Sequence, residues 1–159
     1  MTAIVALLLM AFAGAIAQPS PEAGPAVIFV CEHGAAKSVI ATAYFNKIAA
    51  ERGLRAPAAY RGVNPDAALS AGALKGLRED GVPAPEQTPS RITPSDVDTA
   101  SVIFAIGCVL PQHAAVSTKA RSWDDVPDDK GYGATRDAIR KHVERLVDEL
   151  LKKQGVRER

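Results

Sequence analysis

The chain has 159 residues, 19 Lys+Arg against 18 Asp+Glu, 47% hydrophobic and 23% charged residues, the profile of one ordinary globular domain with a core of its own. A net charge of +1 and an aromatic content of 5% exclude a broad basic nucleic-acid surface and a base-stacking platform. Two cysteines exclude a disulfide scaffold, so each acts individually. In chain order, Met1 to Pro21 carries no charged side chain, and its apolar run Ala3–Ala13 ends in Ala15-Ile16-Ala17 before Gln18-Pro19. This pattern predicts a secretory signal peptide over 1–17, and hence a periplasmic or secreted protein with no stable membrane association after cleavage. An uncleaved anchor or a misassigned start leaves the protein attached or cytoplasmic instead. The proline-rich residues 18–25 form a linker, 26–154 the domain and 155–159 a tail.

Within the domain, Ala26–Val30 is a continuous run of β-formers, expected to be a strand buried on both faces. Ser38 opens a helix to Arg52, stopped by Gly53. Ala58–Arg61 is a second strand, Ala67–Asp80 a helix closed by Gly81, and Val82–Pro94 a loop. Ser101–Ile106 is a third strand, and a short fourth falls near Lys119–Trp123. Ile139, Val143, Leu146, Val147, Leu150 and Leu151 recur at helical spacing as a stripe that faces a sheet. Alternating β and α elements with buried strands define an α/β fold, a doubly wound parallel four-stranded sheet with helices on both faces. Ligands of such folds bind beyond the carboxyl ends of the strands, and both cysteines sit at those ends.

The first of them opens the segment Cys31-Glu-His-Gly-Ala-Ala-Lys37-Ser38, a tight loop between strand and helix. Backbone N–H groups in such a loop converge into an anion nest, and the helix N-terminus adds its own. A tetrahedral oxyanion fits that environment, and the same field favours a reactive thiolate at Cys31. The bland reading is a buried cysteine at a strand end. No glycine stands where a Walker A loop requires one.

This segment resembles the low-molecular-weight protein tyrosine phosphatases and their relatives, the thioredoxin-type arsenate reductases, whose signature is a strand, Cys, five residues, Arg and Ser. A second match is Trp123-Asp-Asp-Val-Pro127-Asp128-Asp129, similar to the family's Trp, spacer and Pro-Asp-Pro. The resemblance implies the low-molecular-weight phosphatase fold and hydrolysis of phosphate monoesters through a cysteinyl-phosphate. It makes Cys31 the nucleophile and Asp128 the general acid. His33, Gly34, Ala35, Ala36, Lys37 and Ser38 become the phosphate-binding loop, with no cofactor and no metal. The partner it implies is a phosphorylated protein or a small oxyanion. Without the resemblance, Asp128 is one solvated carboxylate among several, and His33 an exposed loop histidine.

Two departures stand out: Lys37 replaces the family's arginine, losing its bidentate fork, and Asp129 replaces the proline after the acid. Arg61 is a candidate second cation. Cys108 occupies the place where the arsenate reductases carry a second cysteine, a possible redox partner of Cys31, although their third cysteine is missing. The alternative functions are therefore an arsenate reductase-like redox protein and a weak phosphate- or phosphopeptide-binding pseudophosphatase. Cys108 also reads as a small core residue. A metal site from Cys31, His33, Cys108 and His113 is a further reading.

Overall fold

The structure, a computed structural model, describes residues 27–157. The expected signal peptide, and the linker with it, lie outside these residues. Four strands, β1 (Val27–Cys31), β2 (Ala58–Gly62), β3 (Val102–Ile106) and β4 (Ala120–Trp123), form one sheet in the order β2-β1-β3-β4. Every pairing is parallel, with Phe29 opposite both Tyr60 and Phe104, and Ile106 opposite Trp123. The central strand β1 is buried throughout its length, as its unbroken apolar run requires when both faces are covered.

Alternation along β1 divides the core in two. Val27 and Phe29 point to one side, packing with Val39, Phe45, Leu77, Ile139 and Val143 of α1 (Lys37–Glu51), α2 (Ala71–Glu79) and α5 (Gly131–Arg157). Ile28 and Val30 point to the other, against Ile103, Ala114 and Ile92 beneath α3 (Pro94–Thr99) and α4 (Gln112–Ala115). On the first side Phe29 stacks on Phe104 at 5.8 Å, and Trp123 closes on Phe104 at 4.6 Å. The sheet is therefore doubly wound, with helices on both faces, as the sequence pattern predicts.

Several boundaries differ from expectation for local reasons. α2 starts at Ala71, later than Ala67, because Ser70 caps it by accepting from the Ala73 amide. The amides of Asp66 and Ser70 are meanwhile drawn onto the carbonyls of His33 and Ala35. α3 follows directly on the proline-rich loop. Thr93 and Asp96 form a reciprocal capping box with Pro94 in the first turn, a combination that starts helices. α5 continues to Arg157, beyond the domain end expected at 154. Among the described residues, no helix is long and apolar enough to cross a membrane.

Candidate active site

The carboxyl ends of β1 and β3 deliver Cys31 and Gly107-Cys108 to the point where the strand order reverses, and the chain from β1 turns there through residues 32–36 into α1. How this loop is held determines what it binds. The carbonyls of Cys31, Glu32, His33 and Ala35 accept from the amides of Val63, Asn64, Asp66 and Ser70, at 2.8–3.1 Å. The segment after β2 thus pulls the loop carbonyls outward. Among the described residues, none of the amides of 32–39 donates to a backbone carbonyl. The residue at the start of α1, Ala36, provides no side-chain cap. A row of unpaired N–H groups at a helix N-terminus is an anion site.

Two glycines permit this geometry. Gly34 has φ +60°, and a Cβ there would lie 2.8 Å from the Gly62 nitrogen; one on Gly62 would lie 2.9 Å from the Gly34 nitrogen. The loop and the end of β2 touch backbone to backbone, so neither position accepts a side chain.

Cys31 is 3% exposed, and its Sγ lies 3.1 Å from Ser38 Oγ, itself fully buried on α1. A hydroxyl at that distance donates to a thiolate and stabilises it. The cavity above the loop measures about 570 Å³ and is lined by Cys31, His33, Ala35, Ala36 and Lys37 from the loop side, with Pro127, Asp128 and Tyr132 opposite. The two motifs, almost a hundred residues apart in sequence, therefore share one cavity.

Lys37 is 13% exposed on its side chain, and its Nζ lies 2.5 Å from Oδ1 of Asp128, whose side chain is 72% exposed. The ammonium also lies against Gly107, where a Cβ would come within 2.7 Å of it. The lysine that replaces the family's arginine is thus spent on the carboxylate of the expected acid. His33 is exposed and pairs with Asp66 at 3.2 Å.

Two readings fail on geometry, those of Arg61 and of the metal site. Arg61 does not reach the cavity: its guanidinium is bidentate on Asp96, at 2.8–3.1 Å, and also donates to its own Tyr60 carbonyl. Cys108 does not line the cavity but packs against the Ile28–Val30 core, with its Sγ 3.5 Å from the Val30 carbonyl and close enough to Cys31 for the two to interact electrostatically. Both cysteines are free thiols. Burial, and then the nearby Cys31, push the Cys108 thiol up to about 11. The metal reading fails too, since among the described residues no three His, Cys, Asp or Glu side chains come together as a metal site.

Sequence reasoning missed Gly62, Asp66, Ser70, Gly107 and Tyr132 as parts of this site. Only the glycines carried a signal, each ending a predicted strand. The others are brought in by the path of the 63–70 segment and by the start of α5.

A parallel α/β sheet with a cysteine loop between its first strand and first helix defines a phosphatase-type architecture. The comparisons with known proteins agree. The family model described as low molecular weight phosphotyrosine protein phosphatase matches residues 26–122, and the chain belongs to that family. A sequence comparison with curated proteins gives no match. Among solved structures, the chain is similar to YfkJ from Bacillus subtilis (19% identity, TM-score 0.70, covering 81% of this chain and 96% of that one). It is also similar to the YwlE arginine phosphatase, in a cysteine-to-serine mutant with a phosphorylated active-site serine (23%, TM-score 0.70, 79% and 95%). A third is an arsenate reductase from Archaeoglobus fulgidus (27%, TM-score 0.61, 77% and 98%).

Proposed function

We propose that this protein is a cysteine-dependent phosphatase that hydrolyses phosphate monoesters through a cysteinyl-phosphate. The observation that carries this reading is the loop itself: carbonyls pulled outward, amides left without backbone acceptors, and Cys31 beside Ser38 at its base. A phosphate dianion seated on those amides presents phosphorus to Sγ. The Cys31 thiolate attacks, the S–P bond forms, and the P–O bond to the leaving group breaks as Asp128 gives that oxygen a proton. Water then attacks phosphorus, Asp128 takes a proton from it, and the S–P bond breaks to restore the thiolate. Lys37 leaves Asp128 for the equatorial oxygens as the oxyanion enters, freeing the carboxyl to carry a proton. The substrate supported by the family is a phosphorylated side chain of a protein.

The test is turnover of an aryl phosphate, with mass spectrometry of the acid-quenched enzyme. A phosphate adduct on Cys31, and its absence from inactive Cys31→Ser, is the expected result. No turnover together with no phosphate binding would sink the reading. Phosphate binding without turnover would favour a pseudophosphatase, the second reading, which the Lys37–Asp128 ion pair supports because it occupies both groups. An arsenate reductase-like function draws less support, since burial and the nearby Cys31 keep Cys108 a neutral thiol and the chain has no third cysteine. Export is part of the proposal and rests on residues 1–17: the protein isolated from its native cell begins at Gln18. An intact Met1 on soluble protein would count against it.

A further inference from the structure

Behind the cavity lies a polar cluster that the phosphatase chemistry does not use. Asp80, the residue closing α2, accepts from the hydroxyl of Tyr44 on α1 at 2.7 Å and from that of Tyr132 at the start of α5 at 2.8 Å. Arg136, one turn further along α5, donates to both Asp80 oxygens at 3.0 and 3.2 Å and lies 5.7 Å from the centre of the Tyr132 ring. One carboxylate therefore ties three helices together, and its fixed partners, Tyr44 foremost, hold it below the ordinary carboxylate range.

One member of this cluster reaches the substrate side: Tyr132 lines the cavity, whereas Asp80, Tyr44 and Arg136 do not. The ring is pinned from a second direction by Gly76 on α2. A Cβ at Gly76 would come within 2.4 Å of ring atoms Cε1 and Cζ. The ring thus rests on bare helix backbone while its hydroxyl is held from behind. Such restraint leaves an aromatic wall with one orientation, and an aromatic contact depends strongly on ring placement.

We propose that Asp80 is a positioning residue that fixes Tyr132 as the aromatic wall of the cavity and thereby sets its preference for aryl over alkyl phosphates. The inference rests on the phosphatase reading and adds to it how the leaving-group side of the site is built. Asp80 touches no reacting atom. Of its partners only Tyr132 lines the cavity, so its influence on the substrate falls on the leaving-group side. An aromatic contact of ordinary strength corresponds to roughly a three- to tenfold effect on binding.

The experiment compares Asp80→Ala, Asp80→Asn and Gly76→Ala with the native enzyme. Steady-state kinetics use 4-nitrophenyl phosphate and a simple alkyl phosphate, with competitive inhibition by inorganic phosphate and thermal melts alongside. Asp80→Ala releases the hydroxyl, and Gly76→Ala pushes the ring while improving the helix backbone. Both are expected to raise KM for the aryl substrate roughly three- to tenfold, the size of the aromatic contact. kcat, the alkyl KM and phosphate inhibition stay near native values. Asp80→Asn keeps an acceptor for the Tyr132 hydroxyl and retains most of the native preference. A folded Gly76→Ala with an unchanged aryl-to-alkyl ratio overturns the proposal even if Asp80→Ala fails to fold. So does an equal loss on both substrates. A native enzyme with neither turnover nor phosphate inhibition overturns the phosphatase reading instead.

Discussion

Lys37 shows what one substitution changes in this site. An arginine contacts an oxyanion through two parallel donors, and a lysine supplies one compact charge. Here that charge lies 2.5 Å from Asp128, so an incoming phosphate must compete with a carboxylate for it. Lys37→Arg supplies a fork that can hold both at once. It is expected to raise kcat for an aryl phosphate by about a hundredfold, the lower end of the range attributed to one oxyanion donor, with thermal stability unchanged. An unaltered kcat in a folded variant would show that the guanidinium is not the limiting element. Cys108 gives a second residue-scale expectation. Its thiol is raised to about 11 by burial and by nearby Cys31, and only the thiolate is nucleophilic. In Cys31→Ser protein, where burial remains as the raising cause, alkylation of Cys108 by iodoacetamide should be slow near neutral pH and keep rising about tenfold per pH unit past the ordinary thiol range, as thiolate chemistry requires. A plateau near pH 8.5 would contradict this.

At the scale of elements, α3 depends on a single carboxylate. Asp96 is 8% exposed; it accepts from the Thr93 amide and hydroxyl and holds Arg61 in a bidentate pair. A six-residue helix has little stability of its own, so this cap and ion pair fix it against the sheet. Asp96→Ala removes the capping box and leaves the half-buried Arg61 unpaired. The expected cost is about 2–4 kcal/mol, between a lost cap and a broken buried pair, read as a lower urea midpoint with unchanged slope. The pH dependence has a definite sign. Arg61 and the Thr93 donors, prevailing over the opposing effect of burial, hold the Asp96 carboxyl below the ordinary range. Its contribution is therefore complete above the unfolded carboxylate range and disappears as pH falls through the depressed value. The difference in stability between native protein and Asp96→Ala should shrink on acidification. A difference constant down to pH 2 would refute the assignment.

For the whole molecule, β1 is the shared element. Its alternate residues belong to the two cores, Val27 and Phe29 to one, Ile28 and Val30 to the other. Neither core can empty without exposing the strand that completes the other, so unfolding is expected to be a single transition. Trp123, the only tryptophan of the chain, packs on Phe104 and stacks on His142 at 4.7 Å. Its fluorescence and the far-UV circular dichroism should follow one urea curve with one midpoint. Separate midpoints would mean that the edge strand β4 and α5 come away first.

The strands, the long helices, the layering and the Cys31 loop are legible in the sequence. These follow from local periodicity, from an unbroken apolar run at β1, and from a signature confined to eight consecutive residues. The remainder depends on packing, because the contacts that set it join residues distant in sequence. The amides of Val63, Asn64, Asp66 and Ser70 turn the loop carbonyls outward, and nothing in their side chains announces it. The loop after β3 turns Cys108 onto the Ile28–Val30 core, with its Sγ on the Val30 carbonyl rather than in the cavity lining. Arg61, which charge alone made a candidate for the site, is claimed by Asp96 across the sheet edge. Lys37 is placed against Asp128, ninety-one positions further on. Charge and residue type name what a side chain can do, and the packing of the chain decides which partner it finds.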